Sequence, residues 1–242
     1  AKDLVEALKD VTLTAASTVE VTGAVTVAQI LALQDTGADV SFTSPTAALT
    51  GTTADILAAL NALPTGYKGA IKVTDAVNAA DLKIINDATT GKITLTNLTH
   101  ALNGDAVTLA AALDGITGYK GNVRVSDAVD AEQLLTINKA TSGVITLDVK
   151  TGNLKASAKD LIAALDGITG YTGDLTIALN SPAATLAQLK TLNGLTSGDL
   201  VLDALSAKTD YSGKASDILA AFKGVTVYDG DLTITGSYTV AD

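Results

Sequence analysis

Short segments in which apolar, polar and apolar residues alternate recur along the whole chain. They predict β-strands with one buried and one solvated face, because successive side chains of a strand point to opposite faces. Eight of nine candidate strands alternate in this way. Their central triplets are 19–21, 40–42, 71–73, 93–95, 123–125, 145–147, 175–177, 200–202 and 232–234.

Helical segments of two types lie between the predicted strands. The first type has a Leu-x-x-Ala-Leu-like pattern and begins at positions 3, 55, 108, 160 and 217, which are 52, 53, 52 and 57 residues apart. A spacing this constant indicates tandem duplication. The second type is predicted at 28–34, 80–87, 132–139 and 186–193.

Residues at the helix ends support these assignments. Ser126, Asp127 and Ser157 are predicted N-cap residues, because their side chains accept hydrogen bonds from first-turn N–H groups. Gly143 and Gly167 are predicted to end helices, since glycine readily adopts the left-handed conformation found there.

Charged residues on the strands decide between two folds. Alternating strands and helices predict a parallel α/β fold. A doubly wound sheet has helices on both faces, and its strands read as continuous apolar runs. Glu20, Lys72 and Arg124 instead occupy outward strand positions, where a covering helix would bury a charge at a cost of several kcal/mol. We therefore predict an α/β fold, a single-sided parallel β–α solenoid.

The repeat also sets the predicted domain organisation. We expect about nine strand–helix coils, paired in double repeats of about 52 residues, because thin coils of this kind are stable only when stacked on neighbours. The chain is then one continuous repeat array over 1–242. Its approximate units are 3–54, 55–107, 108–159, 160–216 and a partial unit at 217–242.

Composition excludes several classes of protein. Without Cys there is no disulfide framework or cysteine metal site. The net charge of −10 excludes a basic nucleic-acid footprint. The longest apolar runs, such as Ile56 to Leu60, are far shorter than the roughly 20 residues of a membrane span. The absence of both Cys and Met is compatible with an oxidising extracellular setting, because both side chains oxidise readily.

Four tyrosines form the first candidate site. Tyr67, Tyr119, Tyr171 and Tyr228 each stand two residues before a glycine. In stacked repeats these rings would form a ladder along one edge, where they could stack on sugar rings. The alternative is that each ring covers the end of a coil and packs on its neighbour, which is the usual role of aromatic residues in repeats.

The open face of the predicted sheet is the second candidate. Lys72 and Arg124 are its candidate binding residues, among many outward threonines. A regular Thr array is also typical of ice-binding solenoids, but Glu20, Lys72, Arg124 and Val201 interrupt this one. The alternative is that Thr stands there as a β-branched residue suited to a strand exposed on one side.

No enzyme site is predicted. His100 is the single histidine, and no nucleophile or acid–base partner recurs with it. Acidic turns could hold Ca²⁺, but no segment matches a known calcium loop, and turn and capping roles explain most of these carboxylates. We therefore predict no catalytic residue, no metal site, no cofactor and no enzymatic activity.

Two stretches of the repeat resemble a known group of proteins. They are 168–177, with the sequence Ile-Thr-Gly-Tyr-Thr-Gly-Asp-Leu-Thr-Ile, and 123–128 together with 140–143. The chain is similar to tandem-repeat regions of very large secreted bacterial surface and adhesin proteins, notably cyanobacterial ones. This resemblance implies an extracellular or cell-surface location and a structural or adhesive role, and it transfers no catalytic residue.

Together these observations lead to two functional hypotheses. The first is a non-enzymatic structural module of a filament- or layer-forming surface protein, whose partners are itself, stacked head to tail, or further repeats of the same chain. The second is an adhesin module that binds a glycan or a surface through the Tyr edge or the open sheet face. Neither hypothesis involves nucleic acid or a membrane span.

Overall fold

A computed structural model of the chain describes residues 2–8, 11, 13–43, 47–63, 67–178 and 182–236. Within them, each predicted helical segment forms an α-helix. The helices are α1 Lys2–Leu8, α2 Val27–Gln34, α3 Thr53–Ala62, α4 Ala79–Ala88, α5 Ala106–Leu113, α6 Ala131–Ala140, α7 Ala158–Ala164, α8 Leu186–Leu195 and α9 Ala215–Phe222, with a 3-10 turn at Ser206–Lys208.

The same part of the chain contains thirteen strands, four more than predicted. The strands are β1 Thr18–Val21, β2 Asp39–Phe42, β3 Leu49–Gly51, β4 Ile71–Val73, β5 Ile93–Leu95, β6 Leu102–Gly104, β7 Val123–Val125, β8 Ile145–Leu147, β9 Leu154–Ala156, β10 Leu175–Ile177, β11 Leu200–Val201, β12 Tyr211–Gly213 and β13 Leu232–Ile234. The prediction of one strand per helix missed β3, β6, β9 and β12.

The strands form small sheets whose registered pairs are all parallel. The three-stranded sheets are β3-β4-β5, β6-β7-β8 and β9-β10-β11, and β1-β2 and β12-β13 are two-stranded. Each three-stranded sheet follows the chain order strand, Leu-x-x-Ala-Leu helix, strand, helix of the second type, strand. The mixed α/β class with helices alternating with parallel strands is therefore confirmed.

Three names describe the strands below, according to their place in this order. First strands precede a Leu-x-x-Ala-Leu helix and are β3, β6, β9 and β12. Second strands follow that helix and are β1, β4, β7, β10 and β13. Third strands follow the helix of the second type and are β2, β5, β8 and β11.

One face of each three-stranded sheet is buried and the other is open, as the alternation predicts. In β4, Ile71 and Val73 are buried while Lys72 is exposed, and in β7 Arg124 is exposed in the same way. The helices α2 to α9 each bury one stripe, such as Ala79, Leu82 and Ile85 of α4, whereas α1 has no buried residue. No described helix lies over the charged outward positions, which agrees with the argument from desolvation cost.

The chain divides into two compact units. One consists of residues 1–102 and 111–121, and the other of residues 103–110 and 122–242. The first contains the sheets β1-β2 and β3-β4-β5, and the second contains β9-β10-β11 and β12-β13. The repeat boundaries given by the sequence, such as 55–107, stay predictions.

The helix ends agree with the sequence at some positions only. Ser157 is the N-cap of α7, so that prediction is confirmed. Gly167 has the left-handed φ of 73°, but α7 ends before it at Ala164, with Leu165 as its C-cap. α6 begins instead after the N-cap Asp130, whose side chain accepts from the Gln133 N–H. It ends at Thr141, which is extended with φ −113° and ψ 145°. The prediction that Ser126 or Asp127 caps α6 and Gly143 ends it was wrong.

Candidate functional site

The four repeated tyrosines make the same hydrogen bond. Each hydroxyl donates to a backbone carbonyl oxygen 19 or 20 residues earlier in the chain. The pairs are Tyr67 with Ala47, Tyr119 with His100, Tyr171 with Gly152, and Tyr228 with Thr209, the last at 2.8 Å. The tyrosines therefore tie adjacent turns of backbone together.

Three of these rings lie in the interior. Tyr67, Tyr119 and Tyr171 are only 2%, 1% and 2% exposed, and Tyr228 is half-buried. Burial raises the pKa of Tyr119 to about 12, and burial together with the nearby charge of Asp174 raises the pKa of Tyr171 to about 12. A sugar stacks on an exposed ring face, and these three rings offer none. Their burial favours the alternative in which the rings pack on neighbouring segments, and the Tyr edge as a glycan site stays a prediction.

Glycines stack directly beside these tyrosines. A methyl group placed on Gly91 would lie 2.2 Å from the Gly69 carbonyl oxygen, and one on Gly173 would lie 1.8 Å from the Gly152 oxygen. Gly198 in turn lies over Gly173. The Tyr-x-Gly motif thus combines a backbone tie with a position where neighbouring backbones approach closely.

Buried threonines complete this packing. Thr89 and Thr196 follow α4 and α8, and their hydroxyls donate to the carbonyl oxygens of Gly69 at 2.9 Å and Gly173 at 2.6 Å. Each hydroxyl also accepts from an N–H two residues later, that of Gly91 or Gly198. A hydroxyl that both donates and accepts satisfies two backbone groups where water is excluded.

Asparagines near the ends of the second-type helices were not singled out from the sequence. The Asn86 amide donates to the carbonyl oxygens of Ala111 and Asp114, each at 2.8 Å. The Asn138 amide does the same with Ala164 and Asp166, each at 2.9 Å. These carbonyls lie at the C-terminal ends of α5 and α7, where four carbonyls lack partners within the helix.

A shallow cleft recurs beside each of these asparagines. One of about 350 Å³ is lined by Asn86, Lys92 and the turn at Asp114, and another of about 170 Å³ by Asn138, Val144 and the turn at Asp166. Lys92 of the first cleft is replaced by the apolar Val144 in the second. The two clefts therefore have equivalent linings but differ in volume and in the charged group that would recognise one ligand.

The open sheet face carries the remaining predicted site residues. Lys72 stands in register between Thr50 and Thr94, and within the described residues it makes no ion pair. In the other unit the Arg124 Nε donates to both carboxylate oxygens of Asp148, at 2.9 and 3.1 Å. This hydrogen bond and the charge of Asp148 raise the pKa of Arg124.

The open sheet face carries a third basic residue, besides Lys72 and Arg124, that was not singled out from the sequence. Lys155 of β9 is exposed and stands in register with Thr176. Leu154, Lys155 and Ala156 have the apolar, polar, apolar order of the other strands, so this signal was present. It was missed because β9 has only one large apolar residue.

The last described strand has an open edge. Leu232 and Ile234 of β13 are 42% and 46% exposed. Their counterparts in β4, Ile71 and Val73, are 1% and 0% exposed. This difference in exposure accompanies a difference in pairing. β4 has a strand on both sides, whereas β13 pairs with β12 alone among the described strands.

Three further features of the described residues concern histidine, metal ligands and membrane-spanning helices. His100 is exposed. Among the described residues, no group of three or more His, Cys, Asp and Glu side chains is placed to hold a metal ion. None of the described helices is both long and apolar enough to cross a membrane.

Comparison with known proteins adds no relative. No protein-family model, no curated protein and no solved structure matches the chain.

Proposed function

We propose that this chain is a non-enzymatic structural repeat module, a single-sided β–α solenoid that is extended by stacking on further repeats. The stacked partner is a second copy placed head to tail or another repeat of the same polypeptide. A surface filament or layer of an extracellular or cell-surface protein is the setting that the sequence resemblance and the absence of Cys and Met support.

One observation carries this proposal. Leu232 and Ile234 occupy inward strand positions, yet nearly half of each side chain is exposed. Burying apolar surface contributes about 25 cal/mol per Å², and an unpaired parallel strand leaves its backbone N–H and C=O groups ready for another strand. This edge therefore favours association with a chain of the same construction.

Sedimentation and electron microscopy of the purified chain test the proposal. Head-to-tail stacking of copies predicts concentration-dependent assembly that is lost in the double variant Leu232→Lys, Ile234→Lys. A matched control is Thr233→Lys, which changes the outward position of the same strand. A wild-type chain that stays monomeric at high concentration, or a double variant that assembles as well as the wild type, would contradict end-to-end stacking.

A glycan- or surface-binding adhesin role is the second candidate, and the open sheet face now supports it in place of the tyrosines. Lys72 presents an unpaired charge between two threonine hydroxyls, a combination that suits acidic glycans. A glycan array with the wild type and the variants Lys72→Ala and Arg124→Ala tests this. Binding that neither substitution weakens would exclude the face as the site.

A further inference from the structure

The edge of β13 opposite β12 has no partner among the described strands. We propose that it binds a helix of the second type followed by a third strand, and that the strand joins β13 in parallel register. This inference rests on the proposed function in using the same edge, but it names the partner by its construction.

The complete sheets define the pairing that β13 lacks. Each second strand with two neighbours pairs with a third strand, as Ile71 does with Ile93 and Val73 with Leu95. The N–H of the first residue of the second strand donates across this pair: Ile71 to Lys92 at 3.0 Å, and Leu175 to Asp199 at 2.9 Å. Leu232 holds the same position in β13.

On its other side β13 already has its neighbour. It pairs with the first strand β12, with Tyr211 opposite Leu232 and Gly213 opposite Ile234. The N–H of Thr235 donates to the Gly213 carbonyl oxygen at 2.8 Å, and the equivalent Thr74 donates to Gly51 at 2.9 Å. Among the described strands, the other side of β13 is therefore open. In the three-stranded sheets, the third strands β5, β8 and β11 pair with the second strands on that side.

The helix layer shows the same gap. Leu219 of α9 is 56% exposed, whereas its counterparts Leu57 of α3 and Ile162 of α7 are half-buried. Both α3 and α7 pack against a following helix of the second type, α4 and α8 respectively. A strand alone would leave Leu219 uncovered, so the partner must also bring a helix.

Among the described residues, a carboxylate that accepts from the start of the preceding helix is also missing at this end. The Asp75 carboxylate, two residues after β4, accepts from the Thr53 N–H at the start of α3 at 2.8 Å. Asp127 does the same for Ala106 of α5, also at 2.8 Å. The corresponding residue after β13 is Gly236, and the N-cap of α9, Lys214, makes no side-chain capping bond. A partner that begins with Ser-Asp supplies this carboxylate.

These features favour a further repeat of the same polypeptide over the amino-terminal end of a second copy, which is the other partner proposed above. β1 is a second strand, and it pairs with the third strand β2. A junction between β13 and β1 would place two second strands side by side, a pairing found in none of the described sheets. It would also set α9 against α1, two helices of the same type, although the packed helix pairs alternate in type.

The experiment uses segment 126–148 of this chain, which contains α6 and β8 and begins with Ser126 and Asp127. We expect the fluorescently labelled peptide to bind the full-length chain and to raise its anisotropy. Hydrogen exchange should slow at 232–235. A control peptide with Ile145→Lys and Leu147→Lys should bind the wild-type chain at least tenfold more weakly. The wild-type peptide should bind the chain that carries Leu232→Lys and Ile234→Lys with a similar loss of affinity.

A second arm removes the dependence on peptide folding. The same segment is fused after Asp242 through a flexible linker, and hydrogen exchange is compared with a fusion that carries the two lysines. Slower exchange at 232–235 only in the first fusion supports the inference. Failure of both the free peptide and the fused segment to protect that edge overturns it, and so does binding unaffected by the lysines in β13.

The two proposals fail in different ways. A chain that assembles through the β13 edge but does not bind segment 126–148 in either arm retains the structural function and loses this inference. A chain that stays monomeric and yet binds the segment retains the inference and loses head-to-tail assembly.

Discussion

Gly173 lies against the carbonyl oxygen of Gly152, so closely that a methyl group on its Cα would stand 1.8 Å from that oxygen. Both groups belong to the backbone, which gives way far less easily than a side-chain tip. The contact sets how closely two successive turns can approach beside the buried ring of Tyr171.

We therefore expect Gly173→Ala to lower the free energy of unfolding by about 3 kcal/mol or more, because the added methyl group forces two backbone segments apart. Urea denaturation followed by circular dichroism measures this loss. The matched control is Gly194→Ala inside α8, where a methyl group meets nothing within 4 Å. It should raise stability by about 0.5–1 kcal/mol. Equal effects of the two substitutions would contradict the close contact.

The buried tyrosines predict a loss of stability at alkaline pH. The pKa of Tyr119 and of Tyr171 is about 12 in the folded chain, against an ordinary value of 10.0. A raised pKa favours the protonated form, so its contribution is complete below pH 10 and is lost as the pH rises toward 12. Urea midpoints measured across this range should fall in step with tyrosinate absorbance.

A double variant, Tyr119→Phe with Tyr171→Phe, provides the control for this pH dependence. It should be less stable than the wild type at neutral pH, by about 1 kcal/mol for each lost hydrogen bond. Its stability should also fall less steeply between pH 10 and 12. A profile as steep as that of the wild type would show that other groups govern alkaline unfolding.

Asp75 predicts an effect at acid pH. Desolvation raises the pKa of its carboxyl, but hydrogen bonds from the Thr53 hydroxyl and N–H and from its own backbone outweigh this and leave the pKa below 3.8. A lowered pKa stabilises the fold above pH 3.8, and this contribution is lost as the pH falls through the lower, folded value.

Replacing this carboxylate should cost stability only while it is ionised. We expect Asp75→Ala to lower the free energy of unfolding by about 1 kcal/mol at neutral pH, as the loss of a helix cap does. The difference from the wild type should shrink below pH 3.8. A difference that does not change with pH would assign the effect to packing rather than to the charge.

Asn138 offers a test of the amide links between helices. Asn138→Asp replaces a donor with an acceptor beside the carbonyl oxygens of Ala164 and Asp166. Two carbonyl acceptors, one part-buried and one exposed, then lose their partner and face a negative charge, so we expect a loss of about 1–2 kcal/mol. Thermal unfolding measures it. The neighbouring exposed Lys139→Ala should stay within about 0.5 kcal/mol of the wild type.

The sequence predicted those features that depend on local pattern. Alternation located β4 and β7 because Lys72 and Arg124 each stand between two buried residues. β3 and β12 were missed because their last residues are Gly51 and Gly213. At Gly213 a methyl group would meet a Leu186 side-chain atom at 2.6 Å, so close helix packing removes the apolar residue that would have marked the strand.

Contacts between repeats were beyond the reach of local pattern. Asp127 was expected to cap the helix that follows it, but it caps α5, whose first residue lies 21 positions earlier. Asn138 bonds to residues 26 and 28 positions later. Such partners are set by how neighbouring strand–helix segments pack on one another, and only the three-dimensional arrangement reveals that packing. The same packing explains why the rings of Tyr67, Tyr119 and Tyr171 are buried.

The position of Asp75 has a consequence for folding during synthesis. Its carboxylate accepts from the N–H of Thr53, the first residue of α3, yet it lies 22 residues later in the chain. On a ribosome α3 emerges with the cap that Thr52 provides, but the Thr53 N–H gains its partner only when β4 has followed it out. The start of α3 is therefore completed by a segment that is synthesised after it.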